Sequence, residues 1–164
     1  MSFLTDSQVR ILIVCQLFAS VSMTAVIWFV QIVHYPLMAN VGPDHLQAYA
    51  IRNRELTTWI VLPLMLLELL SSSALLLAPL STPHRITTWT GLALLGLIWS
   101  VTFFVSVPLH LQLSEGSSSE PLSMLVQSNW IRTAAWSTRA LLSIWMLWSW
   151  SAASLSESST VPTP

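Results

Sequence analysis

Residues 9–33 read VRILIVCQLFASVSMTAVIWFVQIV. One charge, Arg10, stands at the start, and everything after it is apolar or carries an uncharged polar group. A hydrocarbon layer roughly 30 Å thick needs about 20 such residues at 1.5 Å each, so this stretch is long enough to cross one. Arg10 and the small residues near 19–25 resemble a signal peptide. The apolar run continues to Val33, however, well beyond a signal h-region of about 7–15 residues, and it is read as a retained span.

Three more runs of the same quality follow at about 57–79, 86–111 and 131–153. Between them lie Pro36 and Pro43, the stretch STPHR (81–85) and the stretch SEGSSSEP (114–121). The whole chain has 164 residues, of which 54% are hydrophobic and 8% charged. A soluble domain carries about 25% charged residues, so lipid is expected to cover much of this surface. Backbone groups in lipid must be paired within the segment, which makes the spans helices. The expected fold is all-α, an integral membrane four-helix bundle of two helical hairpins, one domain over residues 1–153. The polar tail 154–164 is expected to be disordered.

Net charge is −1 and lysine is absent, which excludes a nucleic-acid partner. The single Cys15 excludes an intrachain disulfide. Tryptophans mark two levels: Trp59, Trp130 and Trp136 at one end of their spans, and Trp89, Trp148 and Trp150 at the other. That is the distribution of interfacial anchors. Four spans put both termini on one side. Arg52, Arg54 and Arg132 outnumber Arg10 and Arg85, which places the termini away from the cytoplasm. The hairpins also match at a fixed offset: His34 and His110, Asn53 and Asn129, and Thr57 and Thr133 are each 76 residues apart. That pattern suggests an internal duplication.

Polar residues fall on helical faces. Gln16, Ser20, Thr24, Gln31 and His34 share one face of the first span, Thr57, Glu68 and Ser72 one of the second, and Arg132, Trp136, Arg139 and Ser143 one of the fourth. Hydroxyl and amide groups at such positions are expected to glue the helices together. Glu68 and Arg139 need more than that. Each costs about 2.5–3.5 kcal/mol unpaired in lipid, and both lie at similar depth from the same side. They are expected to pair inside the bundle, either fixing helix register or forming a proton or substrate site.

A second cluster is expected where FVQIVHYPLM (29–38) and FFVSVPLHLQ (103–112) stop at prolines. Pro36 and Pro108 lack an N–H and should break the helices there, freeing carbonyls beside His34 and His110. Glu55, Arg132, Asn129 and Asn53 fall near the same level, and His45 is in the first loop. The expected catalytic set is His34, His110, Glu55 and Arg132, with Tyr35, Asn129, Glu68 and Arg139 as binding residues. Two histidines and a carboxylate have the composition of an open iron site, but no HxxxH or ExxH spacing supports it. Metal and cofactor are therefore left unassigned. The plainer alternative is that both histidines are interfacial caps.

The blocks VQIVHYPLM (30–38), LPLMLLELL (62–70), VPLHLQL (107–113) and NWIRTAAWSTRALL (129–142) resemble small bacterial four-helix membrane proteins. Their plan is similar to the anthrone-oxygenase-like family of domains of unknown function, over about residues 20–145. The resemblance implies a bacterial inner-membrane oxidoreductase, poor in cofactors, acting on a lipophilic aromatic compound that arrives from the bilayer. It carries over no catalytic motif. The alternative is a non-enzymatic carrier or assembly partner built around Glu68 and Arg139.

Overall fold

Four helices make up the protein in a computed structural model that describes residues 4–115 and 120–159. They are α1 (Asp6–Met38), α2 (Pro43–Leu75), α3 (Thr82–Ser114) and α4 (Glu120–Ser159). The first three are long and apolar enough to cross a membrane. Each begins on a recognisable signal. Thr5 and Gln8 form a reciprocal capping box at α1. Gly42 and Ser81 precede α2 and α3 in extended conformation, with Pro43 and Pro83 in the first turn.

Connections are short and the helices alternate in direction. α1 packs against α2 and α4, and α3 packs against the same two. The helices therefore form a square with α1 facing α3, and α2 facing α4, across its diagonals. Three apolar clusters are stacked along the axis. Val9, Ile13, Leu75 and Met146 fill the end where α1 begins and α2 ends. Met23, Ile27, Met65, Ile98 and Trp136 fill the middle. Tyr35, Met38, Leu109, Leu113 and Leu125 fill the end near the α1–α2 and α3–α4 connections. Outside, large apolar side chains such as Phe18, Phe29, Phe104 and Leu141 are exposed, while Glu68, Asn129 and Arg139 are buried.

Three expectations are corrected here. The prolines do not end their helices. Each is preceded by one π turn, at Val30–His34 and at Thr102–Ser106. There the Tyr35 N–H reaches back to the Val30 carbonyl, and the Val107 N–H to the Thr102 carbonyl. Widening that turn moves away the carbonyl that the proline ring would strike, so the helix passes through. Second, Trp136 is no interfacial anchor: it is 1% exposed, whereas Trp59 is 80% exposed. Third, α2 begins at Pro43 and α4 at Glu120, so both helices run well beyond the apolar windows. α4 also continues to Ser159, into the stretch expected to be disordered; residues 160–164 lie outside the described ones.

Candidate functional site

Two polar layers separate the three apolar clusters. The layer nearer the start of α1 is built on Glu68 and Arg139, which meet across the α2–α4 diagonal. Arg139 Nε donates to Glu68 Oε1 at 2.6 Å, and both side chains are fully buried. Every remaining atom of the pair is used. Glu68 Oε2 accepts from Trp136 Nε1 at 3.0 Å, Arg139 Nη2 donates to Ser72 Oγ at 3.1 Å, and Arg139 Nη1 donates to the Gly91 carbonyl. Gly91 is needed for that approach, because a Cβ there would stand 3.1 Å from Arg139 Nη1. Beside the pair, Ser143 Oγ accepts from Gln16 Nε2 at 3.3 Å and lies 3.2 Å from Ser20 Oγ. The layer is neutral and closed, a lock on helix register in which Gln16 Oε1 alone has no partner.

The layer nearer the connections holds a partly open cavity of about 150 Å³. Such a volume holds one six-membered ring. His34 and Tyr35 come from α1, Asn53, Arg54 and Thr57 from α2, Ser106 and His110 from α3, and Arg132 from α4. The floor is apolar, made by Met23, Ile27, Val61 and Trp136. The π turns help build this wall. His34 closes the first of them, whereas His110 stands one helical turn beyond the second, yet both rings line the chamber.

This layer is not closed. His34 Nε2, His110 Nδ1, Ser106 Oγ and Arg132 Nε are buried and have no hydrogen-bond partner. Buried polar atoms are normally paired, so four at one cavity point to a missing occupant, water or ligand. Arg132 is aimed by a relay behind it: Gln31 Oε1 accepts from Asn129 Nδ2 at 2.7 Å, and Asn129 Oδ1 accepts from Arg132 Nη2. Its guanidinium also lies against the Tyr35 phenol. His34 is steadied by Tyr49, whose hydroxyl is 3.4 Å from His34 Nδ1 and whose ring stacks on it with centroids 6.0 Å apart.

Of the expected residues, His34, His110, Arg132 and Tyr35 come together here. Glu55 does not. Its carboxylate is 53% exposed and pairs with Arg52 at 3.2 Å on the outside of α2. Two residues from Asn53 is about 200° around a helix, so Asn53 and Glu55 cannot share a face. Asn129 stands behind Arg132 and does not line the chamber, and Glu68 and Arg139 belong to the other layer. The sequence reading missed Arg54, counted there only for topology, and Ser106. Asn53, Thr57 and Val61 at spacings of four were the available signal. Without Glu55 the chamber has two imidazoles and no carboxylate, and the described residues hold no group of three His, Cys, Asp or Glu fit for a metal. His84, at the far end, is already held between Ser81 Oγ at 2.7 Å and Ser149 Oγ at 2.9 Å.

Comparison with protein-family models, with curated proteins and with solved structures finds no match.

Proposed function

We propose that the chain is an integral membrane protein of the bacterial inner membrane, crossed by all four helices, whose chamber binds a small lipophilic molecule bearing a polar oxygen. Exposed apolar side chains around a buried polar interior support the membrane reading. The expected placement of the termini outside the cytoplasm loses its support, because Arg132 is buried and Arg54 lines the chamber, so neither reports topology. One observation carries the binding reading: unpartnered donors and acceptors on His34, His110, Ser106 and Arg132 surround a ring-sized space with an apolar floor. Pockets for small molecules have this composition, mostly apolar with a few convergent polar groups.

Proton transfer to or from the bound oxygen is a second reading. Two imidazoles lining one space favour it, since each ring carries one nitrogen that can give a proton and one that can take it. The oxidoreductase reading gains nothing from the geometry. Protein purified in nanodiscs and extracted with organic solvent should yield a small molecule that is depleted in the His34→Ala/His110→Ala variant. Identical extracts from the two proteins would overturn the binding reading.

A further inference from the structure

Arg54 and Arg132 bring two guanidinium groups to one chamber, and among the described residues neither pairs with a carboxylate. Arg132 is 8% exposed, and its hydrogen-bond partner is a neutral amide. Arg54 reaches only the Ser114 hydroxyl, at 3.4 Å. A buried Arg132 with a half-buried Arg54 beside the same chamber favours an anion there, and guanidinium is suited to a carboxylate. The adjoining wall supplies a route. A second cavity, of about 400 Å³, lies between α1 and α2 and shares Val26, Val30, His34, Asn53, Thr57 and Val61 with the chamber. Its outer lip is Phe29 and Ile60, 59% and 58% exposed on the apolar surface.

We propose that the ligand is a single-chain lipophilic carboxylic acid, bound as its anion. Its head lies on Arg132 and Arg54, and its chain leaves between α1 and α2, past Phe29 and Ile60, into the bilayer. The inference rests on the chamber being a binding site and adds the charge of the ligand and its lateral entry. A chamber of about 150 Å³ admits a carboxylate and its first carbons. It does not admit the glycerol backbone of a two-chain lipid.

The test is photolabelling of the full chain in nanodiscs with dodecanoic acid carrying a mid-chain diazirine, with labelled peptides read by mass spectrometry. Labels are expected within residues 26–30 and 57–61. Dodecanoate should compete about tenfold better than dodecanol, the loss expected for a charge-assisted contact. Arg132→Gln should lower labelling by a similar factor and Arg132→Lys should restore it, which separates loss of charge from misfolding. Thr57→Trp, filling the wall between the two cavities, should abolish it. Equal competition by dodecanol, or undiminished labelling of Arg132→Gln, would overturn the anion while leaving the chamber as a site. Undiminished labelling of Thr57→Trp would overturn the lateral route. Stronger competition by phosphatidic acid than by dodecanoate would overturn the single chain. If neither the acid probe nor its alcohol analogue labels these residues, the chamber reading falls, and this inference with it.

Discussion

The two polar layers of this bundle contain the same kinds of residue in opposite states of completion. Around Glu68 and Arg139 the carboxylate and guanidinium are each fully bonded and the charges cancel. Around Arg132, His34 and His110 a guanidinium and two imidazoles line a void and leave buried polar atoms without partners. Trp136 joins them, contributing to the floor of the void while its N–H bonds Glu68. The contrast separates two uses of buried polarity. A closed network fixes which helix faces meet; an open one is a place for something else to bind.

The comparison breaks most readily at Glu68. Glu68→Gln leaves Arg139 uncompensated and is expected to destabilise the fold by about 3–5 kcal/mol, the cost of breaking a buried pair, measured by denaturation in detergent. Adding Arg139→Gln should cost less than the two single changes summed; strict additivity would mean the pair is not coupled. Gly91→Ala is the next largest. Its new methyl must push Arg139 from the Gly91 carbonyl, so a loss of about 1–3 kcal/mol is expected, as for other overpacked interiors.

Changes in the open layer should be milder for folding and severe for binding. Arg132→Met removes a charge that has no counter-ion but leaves the buried Asn129 Oδ1 without its donor, so a loss of about 1–2 kcal/mol in detergent is expected, with ligand retention lost. A loss as large as that of Glu68→Gln would show that the open layer is structural too. His34→Ala and His110→Ala face space that already exists, so their folded yields should stay near wild type, with shifts within about 0.5–1 kcal/mol. If both instead lower the yield while sparing ligand binding, the histidines are caps after all.

The Glu68–Arg139 contact was legible because two quantities fixed it: depth, from 1.5 Å per residue, and the penalty for an unpaired charge. The existence of four helices was legible because each carries an apolar run of spanning length, although α2 and α4 extend beyond theirs. Glu55 went wrong through use of depth without angle, since it shares a level with the chamber and points the other way. The continuous helices were hidden because a proline sequence does not reveal whether the preceding turn will widen or stop. Trp136 misled because tryptophan at that level is commonly an anchor; only the partner helices reveal that Glu68 waits for its N–H. Arg54 was hidden because a charge near a helix end normally reports topology.

Each π turn also acts as a phase shifter. One extra residue in a turn rotates everything beyond it by about 100° relative to an uninterrupted α-helix. The first two-thirds of α1 can therefore set its face for the closed layer while the last third aims His34 and Tyr35 independently. Deleting a single residue such as Ile32 would hardly shorten the helix. It would turn the end of α1 like a key, carrying both rings away from the chamber and leaving the Gln16 and Ser20 contacts where they are.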